Sequence, residues 1–123
     1  MGRVTHFEIT ADQPERAVVF YKKVFGWDID RWEGPQPYWL ITGNAAERGI
    51  DGAIMERHVS GQKVICTVDA ESWDRAAETI RAAGGRVVSE KQVIPGVGTF
   101  AYCEDTEGNL FGIMELDPNR ARM

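Results

Sequence analysis

Residues 5–27, THFEITADQPERAVVFYKKVFGW, decide the fold. They read as a strand, a capped helix and the opening of a second strand. The segment returns in weaker form about half a chain later, as DRAAETIRAAGGRVVS at residues 74–89. A shift of 59 lays Glu15, Arg16 and Ala17 on Asp74, Arg75 and Ala76, Gly26 on Gly85, and Asp28 and Ile29 on Val87 and Val88. Self-similarity at a fixed period implies a fold built from two similar halves.

In the first copy, residues 4–10 alternate as a strand does, with His6 and Glu8 on one face and Phe7 and Ile9 on the other. The apolar pair is expected to pack under the helix, so His6 and Glu8 look away from it. Asp12 is the expected N-cap, Pro14 fits the first turn and Glu15 completes a capping box. Ala17, Phe20, Tyr21 and Val24 form the expected buried stripe, and Gly26 ends the helix. Further strands are expected at residues 27–32, 38–42 and 50–55, with a turn at 33–35 and a polar loop at 43–49.

Residues 56–62, ERHVSGQ, are the one linker-like stretch. The second half repeats the plan. A strand is expected at 63–68 and a helix from a cap at Asp69 or Ser72 to about Ala83, burying Trp73, Ala76, Ala77 and Ile80. Strands at 86–89, 98–103 and 110–115 follow, the last two joined by the turn DTEGN at 105–109. The organisation is therefore one domain over residues 1–123: module one at 4–55, linker at 56–62, module two at 63–115 and a polar tail at 116–123. Each module has one helix on one face of a small sheet, an α+β arrangement. Two such modules can share a curved mixed sheet around a cavity.

With 123 residues, 43% of them apolar, the chain can bury a core without staples. A net charge of -5 with no basic block argues against a nucleic-acid partner or an anionic membrane surface. No apolar run is long enough for a membrane span or a signal peptide, which leaves the cytoplasm as the expected location. Cys66 and Cys103 are spaced neither as a metal knuckle nor as a CxxC pair and read as buried free thiols. His58, among polar linker residues, reads as a surface histidine. No glycine pattern follows a strand and opens a helix, so no phosphate loop is expected.

The opening segment HFEITADQPERAVVFYKKVFGW, the later DTEGNLFGIME and the duplicated βαβββ plan together resemble the vicinal oxygen chelate superfamily, which includes glyoxalase I, bleomycin-resistance proteins and extradiol dioxygenases. The resemblance runs from about Val4 to Glu115. It implies a divalent metal held in the concave sheet by four strand residues, His and Glu as a rule. Only His6 matches. The stretch YWLIT on the third strand has no His, Asp or Glu, Lys63 stands where the third ligand is expected, and Gly112 stands where the glutamate is expected. One imidazole does not repay the dehydration of a divalent ion, and a lysine ammonium repels it. Glu115 is three residues beyond Gly112, on the opposite face. Glu8 adds at most a second donor.

His6 then reads either as a pocket base or hydrogen-bonding group, or as a core histidine satisfied by a neighbour. Glu8 reads as a ligand contact or a strand-edge carboxylate, and Lys63 as its ion-pair partner or a polar ligand contact. Tyr38 and Trp39, in a run with Trp27 and Trp32, supply apolar walls or core, and Met114 shares a face with Gly112. The expected function is binding of a small, partly apolar organic molecule in the concave sheet, through His6, Glu8, Tyr38, Trp39, Lys63 and Met114. No metal or other cofactor is expected, and the resemblance implies a homodimer. The alternatives are a metal-dependent lyase or dioxygenase of the same superfamily, and a protein-interaction domain without catalysis.

Overall fold

The computed structural model describes residues 2–58 and 61–119. It contains β1 (Val4–Ala11), α1 (Pro14–Phe25), β2 (Asp28–Arg31), β3 (Tyr38–Thr42), β4 (Gly52–Glu56), β5 (Val64–Asp69), α2 (Trp73–Ala82), β6 (Arg86–Val87), β7 (Gln92–Ile94), β8 (Gly98–Glu104) and β9 (Leu110–Leu116). The order is strand, helix, three strands in the first half. The second half repeats it with one added short strand, β7, whose three residues carry too little alternation to be read from sequence. The expected linker and the expected tail each lie in part outside the described residues. No helix among the described residues is long and apolar enough to cross a membrane. The chain divides into two compact units, residues 6–65 and residues 1–5 with 66–123.

In the unit of residues 6–65 the strands run β2-β3-β4-β1, with β1 parallel to β4 and the other pairs antiparallel. One sheet face packs on α1. Ala11, Ile29, Trp39, Ile41 and Ile54 form its buried core, with Phe7, Ile9, Ala17, Val18, Tyr21 and Trp27 against it. Phe7 and Ile9 therefore face the helix, as the alternation of β1 predicts. The helix is turned relative to the expected stripe: Ala17, Val18 and Tyr21 pack inward, while Phe20 and Val24 are 55% and 54% exposed. The run Ala17-Val18-Val19-Phe20-Tyr21 is apolar nearly all round, so its period does not select a face. Gln13 rather than Asp12 is the N-cap, and its side chain caps nothing. Asp12 is instead paired with Arg57 at 3.1 Å. Gly26 closes α1 in the left-handed conformation, as expected for a glycine there.

In the other unit the order is β5-β9-β8-β6, with β7 added on β8. Trp73, Ala77, Ala101, Cys103 and Ile113 are buried between sheet and α2, with Ala76, Ile80, Val87 and Phe111 beside them. The expected stripe of α2 is the observed one. Ser72 caps the helix by accepting the Arg75 N–H at 3.2 Å. Asp105 organises the DTEGN turn: its carboxylate accepts the N–H groups of Asn109 and Glu107, which lower its pKa. Cys103 is buried and Cys66 is exposed, so the expectation of two buried thiols holds for one. Burial raises the pKa of Cys103 against the opposing charge of Arg81.

The strand registers repeat with the period of the sequence. Phe7 pairs with Gly52 in the first parallel ladder, and Cys66 with Phe111, each one full repeat later, in the second. Glu8 opposite Ala53 thus corresponds to Thr67 opposite Gly112. In the antiparallel ladders Tyr38 opposite Met55 corresponds to Phe100 opposite Met114. Met114 keeps the period from Met55, while Phe100 lies slightly more than one repeat beyond Tyr38, because the second copy is longer ahead of that strand.

Candidate functional site

The face of β1 turned from the helix carries His6 and Glu8, and β3 brings Tyr38 to the same face. Alternate residues of β1 point one way, and a later strand supplies the group that joins them. The Tyr38 hydroxyl donates to Glu8 Oε2 at 2.7 Å, and His6 Nε2 lies 2.9 Å from the Tyr38 hydroxyl oxygen. A phenol has one proton. With that proton directed at Glu8, Tyr38 can only accept from His6, so Nε2 carries the imidazole hydrogen. The His6 pKa is lowered from 6.5, chiefly by burial, against the opposing charges of Glu8 and Asp51. The neutral imidazole with Nε2–H leaves Nδ1 as a lone-pair acceptor, and no protein group among the described residues binds it.

The network is held from both sides. Glu8 is 4% exposed, and a carboxylate so deeply placed needs donors. Trp32 meets the Tyr38 ring edge-on at 6.0 Å, and the Trp32 backbone N–H donates to the Tyr38 carbonyl at 2.8 Å. Gly34 makes this possible, since a Cβ there would overlap the Trp32 ring. The turn at Glu33-Gly34-Pro35 thus sets Trp32, and Trp32 sets Tyr38.

The other expected site residues separate. Trp39 alternates away from Tyr38 into the core under α1, with the Arg31 guanidinium 5.0 Å from its ring. It walls no site on the His6 face. Trp27 likewise belongs to the helix side, stacked on Tyr21 at 4.8 Å. Lys63 is exposed, and its ammonium forms no ion pair with Glu8 among the described residues. Its carbonyl instead accepts the Thr10 N–H and hydroxyl, both at 2.8 Å. Met114 lies in the other unit, opposite Phe100, on the face that carries Gly112 and Thr67. His58 is exposed. A cleft of about 370 Å³ opens elsewhere, at the start of α1, between Asp12, Arg16, Phe20 and Arg57. Arg57 is already bound there to Thr10 and Asp12.

Residues 3–113 match the model of the Glyoxalase/Bleomycin resistance protein/Dioxygenase superfamily. The chain belongs to that superfamily. CFP32 of Mycobacterium bovis, which carries a provisional glyoxylase name, is 32% identical over 97% of this chain and 46% of its own length. The chain therefore spans about half of that relative. A glyoxylase-like domain-containing protein of Didymella fabae is 28% identical over 91% of this chain and 92% of its own. The methylmalonyl-CoA epimerase of Streptomyces coelicolor, solved with 2-nitronate-propionyl-CoA, superposes with a TM-score of 0.72 over 98% of both chains at 16% identity. The epimerase of Mycobacterium tuberculosis does so with 0.68 over 94% and 88% at 15%. At these identities the likeness is one of fold: the chain has the α+β fold of the superfamily, built from two βαβββ modules.

The superfamily's metal chemistry does not fit the residues present. The repeat relates His6 to Ile65, not Lys63, and Gly112 to Ala53 on β4; neither change of position adds a donor. On the His6 face the Tyr38 hydroxyl engages His6 Nε2 and Glu8 Oε2, so the lone pair on Nδ1 is a single imidazole donor. Among the described residues no group of three or more His, Cys, Asp or Glu is placed to hold an ion. Sequence reasoning missed Tyr38 as the bridge, Asp51 as a charge near His6, and Thr67. The last was within reach, since the repeat that shifts the chain by one module carries Glu8 onto Thr67.

Proposed function

We propose that this superfamily member binds a small, partly apolar organic molecule, and that His6 Nδ1 accepts a hydrogen bond or proton from it without a metal. The observation that carries this is the hydrogen-bonded set of His6, Tyr38 and Glu8. It fixes the tautomer of a neutral imidazole and leaves one nitrogen lone pair unbound. A neutral histidine with a held Nε2–H is the form that acts as an acceptor or general base. Tyr38 relays the Glu8 charge to the ring and would stabilise it if it took a proton. Leu40, two residues from Tyr38 on the same face of β3, offers apolar contact. The reading places the chain in the cytoplasm, in keeping with its two free cysteines. It also includes a homodimer, supported by the exposed apolar set Val19, Phe20, Val24 and Phe25 on α1; sedimentation at micromolar concentration checks it.

The test is a thermal-shift screen of small amphipathic molecules, with each hit remeasured by calorimetry on His6→Gln and Tyr38→Phe. A hit that uses Nδ1 should weaken about 10-fold or more in His6→Gln, the scale of a hydrogen bond to a polarised group. Hits indifferent to both substitutions would sink the reading. The names of the sequence relatives favour a second one, a glyoxylase-type reaction; the donor set speaks against the metal-dependent form of it.

A further inference from the structure

The unit of residues 1–5 and 66–123 holds a buried polar atom that the reading above does not use. Thr67 is 3% exposed, and its hydroxyl oxygen has no hydrogen-bond partner among the described residues. Most buried hydroxyls are satisfied, and one that is not loses stability. Its surroundings on the sheet face are Gly112 directly opposite, Phe100, Tyr102 and Met114. A Cβ at Gly112 would lie 2.6 Å from the Phe100 ring and 2.9 Å from Thr67 Oγ1. The ring and the hydroxyl therefore converge over a position that only glycine keeps clear. Phe100 meets Tyr102 edge-on at 4.8 Å and stands opposite Met114, an unbranched thioether.

The repeat gives this arrangement its meaning. Thr67 is the counterpart of Glu8, and Phe100 the counterpart of Tyr38. In the first copy the phenol satisfies the carboxylate. In the second the ring lacks the hydroxyl that would do so, and a polar group is left over under it.

We propose that Thr67 and Gly112 form the floor of a ligand subsite that the Phe100 ring covers and uncovers. Its ligand is an aromatic ring or short apolar chain bearing one hydroxyl or carbonyl, which pairs with Thr67 Oγ1 while the apolar part lies among Phe100, Tyr102 and Met114. The subsite stands on observations separate from those on His6.

Para-cresol and toluene, which differ by one hydroxyl, are the probes, read by ligand-observed NMR titration on the full chain. In Phe100→Ala, which uncovers the floor, para-cresol binds about 5-fold or more tightly than toluene, the worth of one hydrogen bond. In the wild type the same preference holds at lower affinity, because the ring must first move. Thr67→Val in the Phe100→Ala background abolishes the preference. Thr67→Val alone raises the melting temperature by roughly 3–6 °C, because a methyl replaces an unpaired hydroxyl. A purely structural threonine would give the reverse sign. Failure of either probe to bind Phe100→Ala, an equal preference after Thr67→Val, or a lower melting temperature overturns the proposal. These readouts do not pass through His6, so they fail or succeed apart from the screen above.

Discussion

Between an imidazole and a carboxylate, the Tyr38 hydroxyl has one proton to donate, and its 2.7 Å contact directs that proton to Glu8. Tyr38→Phe takes the donor away from a carboxylate that is 4% exposed. The expected cost is about 1–3 kcal/mol, the penalty for a buried acceptor that loses a partner, read as a lower urea midpoint. A midpoint unchanged would mean that Glu8 is satisfied without Tyr38. The second expectation at this scale is a pH dependence. Burial lowers the His6 pKa below 6.5. Between that lowered value and 6.5 the unfolded chain binds a proton that the folded chain does not. Stability from His6 is therefore full above about pH 6.5 and falls as acid is added through that window. Glu8 and Asp51, whose charges act on the ring, oppose the shift without reversing it. Two-dimensional NMR should place the His6 midpoint below 6.5, and His6→Gln should flatten the stability slope from about pH 7 to 5. A His6 midpoint above 6.5 would contradict the neutral tautomer.

The two helices begin differently, and the difference can be measured. Ser72 caps α2 through its side chain, whereas Gln13 leaves α1 without such a bond. Ser72→Ala should cost about 0.5–2 kcal/mol and Gln13→Ser should gain about 0.5–1 kcal/mol, the usual range for these caps. Opposite shifts in thermal melts of the two variants check the pair. The cap of α1 was misread from sequence for a tertiary reason: Asp12 is a good cap by type, but Arg57, far along the chain, holds its carboxylate. The stripe of α1 was misread for another reason, since apolar residues on all sides leave the choice of face to the sheet. Where polar residues do alternate with apolar ones, as in α2 and β1, the period gave the packed face correctly. Gly34 is the element-level control on the site. Gly34→Ala must displace the Trp32 ring, and with it the support of Tyr38.

Over the whole chain, the duplication was legible because it is written twice, at one period, in residues 5–27 and 74–89. The parallel ladders then keep that period residue for residue. The site was legible in part. Alternation put His6 and Glu8 on one face, but no pattern along the chain tells which ring from a distant strand comes between them. Trp39 and Tyr38 are neighbours in sequence and point to opposite faces, so the aromatic run could not be assigned as a block. The same contact bears on metal chemistry in this superfamily member. An ion at His6 would take Nδ1 alone, or Nε2 with an oxygen from Glu8 once the Tyr38 hydroxyl had moved from between them. It would gain at most two protein donors from this set, where catalytic zinc sites have three and other divalent ions want more oxygen ligands. A ligand that binds only the folded state raises the melting temperature with concentration. Titration of chelator-treated protein with zinc, nickel, manganese and iron(II) should therefore leave the melting temperature unchanged, in the wild type as in His6→Ala treated alike. Stoichiometric metal retained by the wild type and lost in His6→Ala would reverse this conclusion and return the chain to the glyoxalase and dioxygenase chemistries of its superfamily.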